Sequence, residues 1–202
     1  MNKLVLASNN PGKLREIGAL LAPLAIEVSA QASLDIAEAD EPHATFLENA
    51  LAKARHASRA SGLPALADDS GLCVDALDGA PGVHSAYYAG RDGSRDERDA
   101  RNNSKLLGAL AGVGDRRAHY YCVVVLLRRA DDPEPLVAEG VWRGEIASAP
   151  RGAGGFGYDP LFYLPGRRCT SAELDADQKN RISHRGQALA RLLARLGDED
   201  RT

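Results

Sequence analysis

A chain of 202 residues, 44% hydrophobic and 26% charged, is long enough to bury a sizeable core as one domain. Its formal net charge of −3 argues against a protein that wraps a nucleic-acid backbone, and no apolar run is long enough for a membrane-spanning helix. Three cysteines, Cys73, Cys122 and Cys169, are odd in number, far apart and without a C-x-x-C pair, which reads as reduced thiols in a cytoplasmic protein.

Lys3-Leu4-Val5-Leu6-Ala7 is a short apolar strand, followed by the polar turn Ser8-Asn9-Asn10-Pro11-Gly12-Lys13. Asn10 and Pro11 make a good N-cap and first-turn pair, so the pattern predicts a helix from Pro11 to Leu21. A strand, a turn and a helix start present backbone N–H groups to an anion, and Lys13 adds charge one turn in; the same residues also suit a plain capped helix. The spaced upstream glycine of a Walker A loop is missing. Ile26-Glu27-Val28 is a second strand, and the loop after it is acidic, with Asp35, Glu38, Asp40 and Glu41. Thr45-Phe46-Leu47-Glu48 has the form of a capping box, predicting a helix to Ser61 with Phe46, Leu47, Ala50, Leu51, Ala54 and Ala57 on its apolar face. On that helix Asn49 and Lys53 are four apart and share a face.

Ala67-Asp68-Asp69-Ser70-Gly71 is expected at a turn between two brief buried strands, 63–67 and 72–74. Adjacent carboxylates in such a place repel each other and lose solvation unless a cation or donors compensate. Two readings stand: a hard metal ion, Mg²⁺ by preference, beside a phosphate-bearing ligand, or a hairpin turn whose side chains bond local backbone. Beyond it come a loop at 78–82 and a charged amphipathic helix from Ser94 to Leu110. Tyr120 to Leu127 is nearly all apolar, as in a strand buried on both faces, and 136–146 returns as one or two strands that should pair with it antiparallel.

Gly152, Gly154 and Gly157 match G-x-G-x-x-G by coincidence, because Pro150 precedes them and Asp159-Pro160 disfavours a following helix. The run is either a plain surface loop or one whose main chain approaches a ligand while Phe156 or Tyr158 stacks on a flat ring. Ser171 to Asp175 suggests a helical turn, and 177–196 a helix that breaks near Ser183-His184-Arg185-Gly186. Lys179, His184 and Arg185 form a local basic cluster, and the remaining histidines lack zinc-ligand spacing.

Together, Ser8 to Lys13, Thr45 to Ala50 with Lys53, Ala67 to Gly71, Gly154 to Pro160 and Ser183 to Arg185 resemble the inosine/xanthosine triphosphate pyrophosphatase family. The resemblance runs from the first strand to the last helix. It implies one domain over 1–202, an elongated two-lobed α/β fold with a mixed central sheet flanked by helices, and an active-site cleft between the lobes. A mobile C-terminal tail over 197–202 is expected, and the family is usually homodimeric. The implied activity is hydrolysis of non-standard purine nucleoside triphosphates (ITP, dITP, XTP) to monophosphate and pyrophosphate. By the same resemblance Ser8, Asn9, Asn10, Pro11, Gly12 and Lys13 hold the triphosphate with Lys53. Asp69 is the catalytic carboxylate and a Mg²⁺ contact, Glu41 is a second metal contact, and Ser70 touches substrate. Phe156, Gly157, Tyr158, Asp159, Lys179, His184 and Arg185 line the base pocket, whose donors match a 6-carbonyl rather than an amino group. The competing readings are a pyrophosphatase for pyrimidine or modified-guanine triphosphates, and a non-catalytic nucleotide-binding regulator.

Overall fold

The computed structural model describes residues 2–24 and 26–199. Strand β1 (Lys3–Leu6) leads into helix α1 (Pro11–Leu21), whose start is set by Asn10. The Asn10 Oδ1 accepts from the N–H groups of Gly12 and Lys13 at 2.9 and 3.1 Å, and Pro11 occupies a position where its missing N–H costs nothing. Strand β2 (Glu27–Ala30) precedes α2 (Phe46–Ser61), which is capped by Thr45 and stopped by Gly62 at φ +70°. Strand β3 (Ala65–Val74) is followed by α3 (Arg95–Ala109), with a complete Ser94/Glu97 capping box. Long strands β4 (Arg117–Leu127) and β5 (Leu136–Ile146) follow, then short β6 (Phe162–Leu164) and β7 (Cys169–Thr170). The chain closes on α4 (Ala176–Ile182) and α5 (His184–Glu199), separated by the extended residue Ser183.

Among the described residues the strands form one seven-stranded sheet in the order β2-β1-β3-β4-β5-β6-β7. β1 is parallel to both β2 and β3, whereas β6 is antiparallel to β5 and β7, so the sheet is mixed. The expected turn at Asp68-Asp69-Ser70-Gly71 does not exist: these residues lie inside the ten-residue strand β3. The turn-prone composition is overridden because ion pairs, described below, compensate both carboxylates within the strand. The helix expected to break near Ser183 does so there. Residues 197–199 of the expected tail belong to α5, and 200–202 lie outside the described residues. No described helix is long and apolar enough to cross a membrane.

The chain divides into two compact units, each with its own core. The first comprises Met1–Asp69, Cys122–Gly140 and His184–Thr202, packed around Leu4, Leu6, Ile17, Leu66, Val124 and Leu189. The second comprises Ser70–Tyr121 and Val141–Ser183. Its core joins Leu72, Leu106, Leu110 and Leu161 to a ring cluster in which Phe162 lies 4.7 Å from Tyr120 and 5.1 Å from Trp142. In the first unit Gly140 allows a close approach: a Cβ there would stand 1.9 Å from the His184 carbonyl oxygen, so only glycine lets α5 seat its first turn on β5.

Candidate active site

Because β3 is a strand, its successive side chains leave on opposite faces, and the two aspartates are assigned different partners. Asp68 meets Lys13 at 3.1 Å and Arg185 at 2.9 Å, and is almost fully buried. Burial alone would push its carboxyl up; Lys13, Arg185 and Lys53 outweigh that and hold it far below the usual carboxylate range. Arg185 also pairs with Glu16, and its own buried guanidinium is kept charged by Asp68 and Glu16 against the cost of desolvation.

Asp69 faces Lys53, whose Nζ lies 2.8 Å from Asp69 Oδ1 and 2.5 Å from Glu41 Oε1. The acidic loop is held in place by α2. Asn49 Oδ1 accepts from the His43 N–H at 3.1 Å, its Nδ2 donates to the His43 carbonyl at 3.3 Å, and a His56 ring nitrogen sits 2.9 Å from the Ala37 carbonyl oxygen. Burial raises the Asp69 carboxyl above its ordinary range by more than Lys53 and Lys13 draw it down. Its Oδ2 is buried without a hydrogen-bond partner. Lys53 stays protonated despite burial because Asp69, Glu41 and Asp68 surround it.

The opening turn lies in the same unit. Ser8 Oγ accepts from the Asn10 N–H at 3.2 Å, Asn9 and Pro11 are exposed, and the Gly12 and Lys13 amides are occupied by Asn10. His184 is buried at the head of α5 beside Arg185, so the structure groups this pair with Asp68 in the first unit. Ser70 follows Asp69 along β3 and is partly buried.

The rest of the expected base-pocket residues come together in the second unit. Asp159 accepts from Ser171 Oγ and the Phe156 N–H, each at 2.9 Å, and pairs with Lys179 at 2.5 Å. Gly155, at φ +74°, has no room for a Cβ, which would fall 2.0 Å from Asp159 Oδ2. The Lys179 ammonium lies 4.7 Å from the centroid of the Phe156 ring, and the Arg95 guanidinium 5.0 Å. Tyr158 is buried and donates its hydroxyl to the Ser85 carbonyl at 2.8 Å, so it anchors the loop, whereas Phe156 is half-buried. Sequence reasoning missed Glu16, Ser171 and the α3 residues Arg95, Asp99 and Asn103, which reach this loop or the Arg185 pair. The four-residue spacing of 95, 99 and 103 was a visible signal for a shared face.

A model of the Ham1 family matches residues 4–195. A dITP/XTP pyrophosphatase of Nitrosomonas europaea is 64% identical over 200 residues, spanning 99% of this chain and 97% of that protein. One of Burkholderia pseudomallei is 64% identical over 197 residues, spanning 98% and 94%. The solved structure of a HAM1 protein from Coxiella burnetii matches with a TM-score of 0.88 at 49% identity, over 98% of this chain and 100% of that one. A nucleoside-triphosphatase / dITP/XTP pyrophosphatase from Mycobacterium abscessus matches at 0.72 with 42% identity, over 95% and 98%. With the family model covering nearly the whole chain, and relatives this similar from end to end, the chain belongs to the Ham1 family.

Proposed function

We propose that this protein hydrolyses non-standard purine nucleoside triphosphates (ITP, dITP and XTP) at the α–β phosphoanhydride, releasing the monophosphate and pyrophosphate and so cleansing the nucleotide pool. The observation that carries the reading is Asp69, a buried carboxylate with one oxygen on Lys53 and the other without a hydrogen-bond partner. The substrate class follows relatives named dITP/XTP pyrophosphatase. Asp69 Oδ2 is the acceptor that positions the attacking water and takes its proton; burial makes that carboxylate a stronger base. Lys13 and Lys53 offer ammonium groups to the phosphate oxygens as charge develops on them.

The donor set suits a hard divalent ion. Asp69 and Glu41 aim carboxylate oxygens at one cation, here the Lys53 ammonium, and Asp69 keeps an oxygen in reserve. Among the described residues no group of three or more such ligands forms. Two carboxylates suit Mg²⁺, which takes one or two protein carboxylates and completes its shell with phosphate and water. Bound there, the ion would neutralise phosphate charge and orient the pyrophosphate leaving group.

Phe156 stacks on the purine. Three of the loop's amides are engaged: Phe156 N–H on Asp159, Gly157 N–H on Asp99, Asp159 N–H on the Phe156 carbonyl. The donor beside the Phe156 ring that reads a 6-carbonyl is the Lys179 ammonium, 4.7 Å from the ring centroid, and an adenine amino group would face it at ~1–3 kcal/mol per unpaired group. The same proposal places the enzyme in the cytoplasm, in keeping with its three free cysteines, and makes it a homodimer. The test is incubation with ITP, dITP, XTP, ATP and GTP and Mg²⁺. Consumption of the first three with release of pyrophosphate is expected; orthophosphate as the product, or preference for ATP, would overturn it.

A further inference from the structure

One face of α3 is given over to the glycine loop. Arg95, Asp99 and Asn103 are spaced by four and line up on successive turns. The Gly157 N–H donates to Asp99 Oδ2 at 2.8 Å, and Asn103 Nδ2 donates to the Gly157 carbonyl at 2.8 Å. The same Nδ2 donates to the Asp99 carbonyl at 2.8 Å, which fixes how the amide points. Arg95 lies over the Phe156 ring and 3.8 Å from the Asp99 carboxylate. Both backbone polar groups of Gly157 are thus taken by side chains of α3. Glycine at φ +62°, with open space where a Cβ would be, has no steric means of holding its own conformation. Without the helix contacts, Gly157 itself would be held only through its neighbours, Phe156 on Asp159 and Tyr158 on Ser85.

We propose that the Arg95–Asp99–Asn103 face of α3 is the positioning element of the base subsite, presetting the Phe156 ring for purine stacking. The inference rests on the activity proposed above and adds residues that lie outside the motifs carrying the family resemblance. Asp99 and Asn103 are positioning residues, acting through Gly157; Arg95 touches the stacking ring itself. A preset ring loses little freedom on binding, so loosening it weakens base recognition and spares the phosphate chemistry.

The experiment compares Asn103→Asp, Asp99→Leu and Asp99→Asn with the wild type. It measures kcat and KM for ITP, and Ki for tripolyphosphate, a competitor with no base. Asn103→Asp is isosteric and turns a carboxylate toward the Gly157 carbonyl; Asp99→Leu removes the acceptor, and Asp99→Asn retains one. The expected result is a KM raised about tenfold in Asn103→Asp and Asp99→Leu. In both, kcat stays within about twofold and the tripolyphosphate Ki is unchanged, while Asp99→Asn restores a near wild-type KM. Unchanged KM in the first two variants overturns the inference, as does a tripolyphosphate Ki that weakens in step with KM. A wild type inert toward ITP, dITP and XTP overturns the activity itself and the inference with it, whereas an active wild type with indifferent variants overturns the inference alone.

Discussion

At the residue scale two neighbouring aspartates meet opposite fates. Strand alternation delivers Asp68 to Lys13 and Arg185, and Asp69 to Lys53 and Glu41. Asp69→Asn keeps an oxygen for Lys53 and the shape of the side chain but loses the base. Pyrophosphate release should fall ~10²–10⁴-fold with an unchanged thermal melt. Asp68 serves the fold instead. Its carboxyl is held below the ordinary range, so its stabilising contribution is fully present above the unfolded-state pKa and is lost as pH falls through the depressed one. Asp68→Asn leaves Lys13 and Arg185 short of a buried counter-charge and should cost about 3 kcal/mol near neutral pH in urea unfolding. That deficit should stay level between about pH 8 and 5 and shrink only below about pH 4.

At the scale of elements, the helices act as holders of loops. α2 pins the acidic loop through Asn49 and His56, keeping Glu41 against Lys53, and α3 grips Gly157. α5 depends on a glycine in a strand. Gly140→Ala would drive a methyl into the His184 carbonyl, forcing β5 or the first turn of α5 to move and drawing Arg185 off Asp68. A loss of about 1–3 kcal/mol is expected, read as a lower thermal midpoint, together with reduced turnover. Helix starts were legible from sequence because capping is local: Asn10, Thr45 and Ser94 each bond an amide two or three residues on. The strand through Asp68 and Asp69 was not legible, since a turn-like composition becomes strand only when distant cations compensate it.

At the scale of the whole molecule, one mixed sheet threads two hydrophobic cores, each filled from separate stretches of chain. The proposed donor set, two carboxylates with a lysine between them, is poor in protein ligands, so the ion should be readily removed. Chelation with EDTA is expected to abolish ITP hydrolysis and excess Mg²⁺ to restore it, with the far-ultraviolet circular dichroism spectrum unchanged throughout. Retained turnover in EDTA would remove the metal from the mechanism. By itself, the sequence determined what depends on near neighbours: the helix caps, the apolar strands, the break at Ser183, and the spaced motifs that mark the family. Only the tertiary structure decided which charges meet. Arg185 finds Asp68 across 117 residues and Gly157 finds Asp99 across 58, and no local pattern encodes either pairing. Burial settles such choices, because a charge or amide taken out of water must find whichever partner the fold brings within reach.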